Sequence, residues 1–289
     1  MVVVRIWEGL GNQLFQYAYA RALQLRSGQK VYIDCERRFA LELEGHRIQR
    51  EYALHNFNIR LGPSLYTDKI FFFLKNKTYL ERLFFFFSQR NYAPFHFYQE
   101  DSVVYKEKLK YLNGTYYVMG WFQNEKYFKE YRKQLLRELR PKKRIRMSLE
   151  LTQCMKHNNT VSIHIRRGDF KKQFNTLSII YYEKAVKKIE SMVKNPFYII
   201  FSDDIQWAQE NMKFLKDCMF ISREENLNDF EEMLLMSKCK HNIIANSTFS
   251  WWGAWLNTNV EKIVIGPQKW FGGSQSNDIN IMPDEWIRV

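Results

Sequence analysis

The chain has 289 residues, 46% of them hydrophobic and 17% aromatic, enough for two domains of ordinary size with real cores. A formal charge of +13 fits nucleic acid, an anionic membrane or a phosphorylated small molecule as partner, and equally a basic coat that keeps a Phe-rich protein soluble. Cys35, Cys154, Cys218 and Cys239 are scattered and form no Cys-x-x-Cys pair, which excludes a disulfide framework and leaves Cys239 and His241 without a second ligand pair for a metal.

Residues 2–7 are an apolar, β-branched run that reads as a buried strand. The start is too short for a signal segment, and no run reaches the ~20 apolar residues that span a bilayer, so a soluble, cytoplasmic chain is expected. Gly9 and Gly11 break the run. A helix is predicted over 12–26, with Leu14, Phe15, Ala18, Ala22 and Leu25 as its apolar stripe and Gly28 to end it. Residues 31–34 form the next strand, and the β-α-β unit implies a parallel sheet. Residues 36–110 have poor periodicity and read as short helices and loops; their Phe clusters, at 71–73 and 84–87, are expected to pack inward or face an acceptor or a membrane.

A strand is predicted at 115–119 and a helix at 124–139. The charged stretch 141–146 is the candidate linker, giving domains of 1–145 and 146–289. The second half is regular. Strands are expected at 160–165, 197–201, 219–221, 243–245 and, last, 263–265, and helices at 177–193, 205–215, 227–236 and 249–256. Continuous apolar strands alternating with helices indicate a doubly wound α/β domain.

Four segments carry chemistry. In the first, Glu8-Gly9-Leu10-Gly11-Asn12-Gln13, a strand, a Gly-x-Gly turn and a helix start resemble a dinucleotide fingerprint, with Asp34 near the ribose-binding position, but Leu14 replaces the third glycine. Gly11 and Asn12 are candidates to face a phosphate or sugar. Gln13 is assigned to the acceptor side. The second is His164-Ile165-Arg166-Arg167-Gly168-Asp169 at a strand end, where ligands of open α/β sheets bind. Paired arginines there suit phosphate oxygens, one holding a pyrophosphate and the other structural. Alternation puts His164 and Arg166 on one face. In the third, Asp203 and Asp204 follow a strand and either cap a helix or accept from a guanine edge. In the fourth, 246–255, Asn246, Ser247, Thr248 and Ser250 open a helix suited to phosphate, and Trp251, Trp252 and Trp255 lock that helix into the core.

GLGNQLFQYAYARAL, HIRRGDF, SDD and HNIIANSTFSWWGAWLN, in that order, together resemble the α-1,2-fucosyltransferases of bacteria and animals, glycosyltransferase family 11. No recognised motif covers 36–110. The resemblance implies two Rossmann-like α/β domains facing a cleft (the GT-B type), the N-terminal one on the acceptor side and the C-terminal one binding the donor. It implies GDP-fucose as donor, inversion, no metal or other cofactor, and the 2-hydroxyl of a terminal galactose as acceptor. The acceptor would be an O-antigen or capsular glycan on a lipid carrier, approached from the inner membrane face with help from the +13 charge.

On that reading Arg166 or Arg167, with the 246–250 helix start, stabilises the departing phosphate. Asp169 and Glu8 are the candidate bases, with late proton loss to water or phosphate as a third course. Glu8 is a departure, because relatives usually carry glycine in its place. Three other readings compete. A nicotinamide oxidoreductase would use Asp34, an RNA-binding protein would show steep salt dependence without any recognised RNA motif, and a transferase of the same fold would use another GDP-sugar.

Overall fold

The computed structural model describes residues 1–35, 51–64, 96–100, 102–157, 159–168, 176–221, 227–271 and 281–289, and the backbone alone of 38–43 and 46–50. The Phe clusters at 71–73 and 84–87, and Asp169, lie outside the described residues. The chain divides into two compact units, Met1–Lys142 and Lys143–Val289.

Unit 1 begins as expected with β1 (Val2–Arg5), α1 (Leu10–Ser27) and β2 (Val31–Asp34). Gly28 ends α1 in the left-handed conformation (φ 68°), donating its amide to the Gln24 carbonyl, a position where a Cβ would be strained. Correcting the expectation of short helices and loops, 36–110 contributes an antiparallel pair, β3 (Arg38–Leu43) and β4 (His46–Glu51), and a parallel strand, β5 (His96–Gln99), before the single turn α2 (Glu107–Lys110). The four residues of β5, of mixed polarity, carry no period visible in the sequence.

β6 (Tyr116–Met119) completes an all-parallel sheet of order β2-β1-β6-β5. The helix predicted over 124–139 is broken into two 3-10 turns and α3 (Arg132–Glu138). Phe128 sits at φ −142°, outside the helical region, and this lets both Tyr127 and its neighbour Phe128 be buried. α1 is buried on almost every face. Tyr19 stacks on Phe122 at 3.9 Å between ring centres. The buried Glu138 carboxylate takes the Tyr17 hydroxyl and a 2.8 Å ion pair from Arg21.

Unit 2 contains α4 (Leu149–Cys154), β7 (Thr160–Ile165), α5 (Ile179–Glu190), β8 (Phe197–Ser202), α6 (Ile205–Asn211), β9 (Cys218–Phe220), α7 (Asp229–Lys238), β10 (His241–Ile243), α8 (Thr248–Leu256), β11 (Val264–Gly266) and β12 (Ile287–Arg288). Its six parallel strands run in the order β12-β11-β10-β7-β8-β9. The strand expected to be last is therefore followed by another, too short to show a period. Strand side chains alternate between two cores. Tyr198 and Ile200 join Val161, Ile163 and Ile165 with α5 and α6 on one face, while Ile199 and Phe201 meet Leu151, Leu235 and Met236 on the other. Both faces covered by helices is the doubly wound class expected.

Candidate active site

In unit 2 the chain leaves β7 for β8 and β9 on one side, while β10, β11 and β12 lie on the other. The order reverses between β7 and β10, and the crevice beyond their carboxyl ends is where such sheets bind ligands. The segment 164–168 leaves β7 there, Asp203 and Asp204 follow the neighbouring β8, and 246–250 follows β10.

Asp203 organises the loop after β7. Its Oδ1 accepts the Arg167 amide at 2.8 Å and its Oδ2 the Gly168 amide at 3.0 Å. Arg166 Nη1 pairs with the same Oδ2 at 2.8 Å. A Cβ on Gly168 would lie 2.8 Å from that oxygen, so the close approach requires glycine. Asp204 caps α6, accepting the Trp207 amide at 3.3 Å, and lies 3.6 Å from Arg167 Nε. The Arg167 guanidinium sits 3.9 Å above the Trp207 ring. The two arginines thus have different surroundings. Arg167 sits over an aromatic face, and Arg166 pairs with the Asp203 carboxylate at the strand end.

His164 is buried with its ring 5.4 Å from Phe249, and its Nδ1 has no hydrogen-bond partner among the described residues. Burial, with the Arg166 charge beside it, drives the imidazole down to about 3, so it is neutral at ordinary pH. A buried ring nitrogen with no partner among the described residues, next to an arginine at a switch point, is a candidate for ligand contact. At the start of α8, Ser247 caps the helix by accepting the Phe249 amide at 3.3 Å. Ser250 Oγ points back to the Ala245 carbonyl at 3.4 Å, and Asn246 Nδ2 donates to the Trp270 carbonyl at 3.2 Å. Thr248 opens the helix, half-buried. Trp251, Trp252 and Trp255 are fully buried and lock α8 in place, as expected.

No motif in the sequence marks Glu232. Burial, then Asp229 and Asp203 nearby, pushes its carboxyl up to about 7. The only signal was an acidic run inside the Asn228 capping box at the start of α7.

The first motif lies in unit 1, after β1. Glu8 adopts φ 65°, a left-handed conformation unusual for a side-chain-bearing residue. Its carboxylate accepts from Asn12 Nδ2 and, at 3.2 Å, from Trp121 Nε1. Gly11 is buried in the first turn of α1 and Asn12 is half-buried. Gln13, expected to reach an acceptor, is instead fully buried. Its amide donates to the Glu8 and Glu51 carbonyls at 2.8 and 2.9 Å and accepts the Ala53 amide at 2.9 Å, so it braces the Glu8 turn. Asp34, the ribose ligand of the oxidoreductase alternative, is buried and accepts the Tyr117 hydroxyl.

The model of glycosyl transferase family 11 matches residues 69–289. The O-antigen biosynthesis glycosyltransferase WbnK of Escherichia coli is 34% identical, with 97% of this chain and 98% of that protein covered. An α-1,2-colitosyltransferase of Escherichia coli is 33% identical over 100% of this chain and 99% of its own. Among solved structures, a mutant of Arabidopsis thaliana FUT1 in complex with GDP superposes with a TM-score of 0.56 at 12% identity, covering 96% of this chain and 74% of that one, a likeness of fold. The chain belongs to glycosyltransferase family 11, the family of the α-1,2-fucosyltransferases, and its two parallel α/β units are of the GT-B class. As a glycosyltransferase it takes a nucleotide-sugar donor and a glycan acceptor.

Proposed function

We propose that the chain transfers L-fucose from GDP-β-L-fucose to the 2-hydroxyl of a terminal galactose, with inversion at the anomeric carbon and without a divalent metal. The observation that carries the reading is the arginine pair at the switch point of unit 2, with Arg166 set by Asp203 at 2.8 Å and His164 Nδ1 buried beside it. In this reading the acceptor oxygen attacks the anomeric carbon as the bond to GDP breaks through an oxocarbenium-like transition state. Negative charge grows on the β-phosphate, and Arg166 with the start of α8 stabilises it in place of a metal. Asp203 and Asp204 act by positioning, the first on Arg166 and the second on the Arg167 and Trp207 pair. The proton leaves to Glu8 or Asp169, or late to water or phosphate.

The name of the relative WbnK supports an O-antigen glycan as the acceptor's setting, and a charge of +13 would hold the enzyme near an anionic, lipid-linked substrate. A second reading, colitose in place of fucose, is favoured by the 33% identity to a colitosyltransferase across the whole chain. Colitose is fucose without its 3-hydroxyl, so the two readings share every step above.

The test is a donor screen. Purified protein receives GDP-fucose, GDP-colitose, GDP-mannose or UDP-galactose with lactose in EDTA, and nucleotide release is followed beside Arg166→Ala. Fucose transfer in EDTA that falls about 100-fold in the variant, on the order of 3 kcal/mol of barrier, is the expected result. Turnover with GDP-colitose alone selects the second reading, and turnover only with another donor overturns both.

A further inference from the structure

Unit 1 has a switch point of its own. From β1 the chain passes to β2 on one side, and β6 lies on the other. The crevice beyond the carboxyl ends of β1 and β6 is therefore the ligand position of this sheet. Two strained turns stand there. The described non-glycine residues with positive φ are Glu8, Phe122 and Asn195, and the first two follow β1 and β6 respectively. Such conformations persist only where their surroundings over-determine them, and they cluster at functional sites.

The surroundings here are specific. The buried Glu100 carboxylate accepts the Trp121 and Phe122 amides at 2.6 and 3.0 Å, and Gln16 Oε1 accepts the Trp7 amide at 2.9 Å. Trp7 and Trp121 are thereby held half-buried, with ring centres 5.6 Å apart and planes tilted by 41°. Nearby Tyr19 and Phe122 are fully buried, whereas these two indoles keep part of their surface accessible. Glu8 is fixed at their edge by Trp121 Nε1 and by Asn12, whose Oδ1 in turn accepts from Gln123 Nε2 at 2.8 Å.

We infer that the Trp7 and Trp121 indoles with the Glu8 carboxylate form a galactose-recognising acceptor subsite in unit 1. This inference rests on the proposed galactoside acceptor. The axial O4 of galactose leaves the C–H bonds at C3, C4 and C5 on one face, and their partial positive charge meets the negative face of an indole. Glucose, with an equatorial O4, turns its C4–H to the face opposite C3–H and C5–H, so the contiguous three-carbon patch is lost. Hydroxyls at the sugar's rim donate to the carboxylate, which only accepts when ionised. Rings 41° apart do not make the parallel slot that a flat nucleobase fills.

The test uses the full chain with GDP present. Saturation-transfer NMR with methyl β-D-galactopyranoside is expected to show the strongest transfer at H3, H4 and H5, with little signal from methyl β-D-glucopyranoside. In Trp121→Ala that signal is lost and KM for lactose rises at least tenfold, while the Kd of GDP, measured by calorimetry, stays within twofold and reports an intact fold. Trp121→Phe keeps an aromatic face but loses the N–H to Glu8, and a KM rise of about threefold is expected, so the idea is tested even if the alanine variant does not fold. Unchanged KM and transfer in both variants, or a loss of GDP affinity in place of galactoside affinity, overturns the subsite. The NMR arm needs no donor sugar. Galactoside transfer in a parent protein that turns over no GDP-sugar sinks the proposed function and leaves the subsite standing.

Discussion

Asp203 lies so close beneath Gly168 that a single added carbon would stand 2.8 Å from its Oδ2, the oxygen that also holds Arg166 at 2.8 Å. The glycine, the carboxylate and the arginine are one mechanical unit. In Gly168→Ala the carboxylate has to move and Arg166 loses its setting. The Kd of GDP is expected to rise about tenfold, roughly 1.4 kcal/mol, with secondary structure by circular dichroism unchanged. Unaltered GDP affinity in titration calorimetry would sink the idea.

The two arginines are expected to separate by what they report. Arg167 lies 3.9 Å above Trp207, a cation–π contact that lysine's compact, strongly hydrated ammonium makes less well, so Arg167→Lys is expected to cost about 1 kcal/mol of stability in urea denaturation. Arg166 and Asp203 are each about a quarter exposed, and such a pair contributes little to stability. Arg166→Lys is therefore expected to leave the urea midpoint nearly unchanged and to lower kcat, because the bidentate fork is lost.

Glu8 separates backbone strain from side-chain chemistry. Glu8→Ala keeps the left-handed φ of 65° on a residue with a Cβ, and Glu8→Gly relieves it. Relief is worth about 1 kcal/mol or more, partly offset by the glycine's larger unfolded-state entropy. The glycine variant is expected to be the more stable of the two by a few tenths to about 1 kcal/mol. Both are expected to lose turnover alike. Equal stabilities, with activity retained in either, would show that neither the strain nor the carboxylate matters.

Glu232 and His164 set opposite pH slopes. With its folded carboxyl raised to about 7, Glu232 keeps its proton while the unfolded chain releases one, so stability falls as pH rises from about 4.5 to about 7. Glu232→Gln is expected to gain roughly 1 kcal/mol at pH 8 over pH 4.5, a figure discounted for partial exposure. With its folded imidazole lowered to about 3, His164 stays neutral while the unfolded chain takes up a proton, so stability falls as pH drops below about 6.5. His164→Phe is expected to gain at pH 5 relative to pH 8. Urea midpoints at the two pH values for each variant check both signs, and parallel curves would contradict them.

Local pattern carried much of the fold. The apolar run of β7, the glycine stop at Gly28 and the alternation of strands with helices in unit 2 are properties of neighbouring residues, and period 2 or 3.6 displays them in the sequence. The same alternation put His164 on the face that meets Phe249. The four-residue strand β5, the two-residue β12 and the break at Phe128 were not legible, since each is fixed by pairing or burial against distant chain.

The segments of the candidate site were likewise legible in the sequence, because a strand end followed by Arg166 and Arg167, or by Ser247 and Thr248, is a local arrangement. Their roles were not. Asp204 capping α6 while Asp203 bonds two amides 35 and 36 residues away depends on the register of β7 against β8. The burial of Gln13, the raised carboxyl of Glu232 and the meeting of Trp121 with Glu8, 113 residues apart, depend on which surfaces the packed sheets bring together. Periodicity is written between neighbours. Register, burial and electrostatic environment arise only when distant segments share the same space, and these the tertiary structure decided.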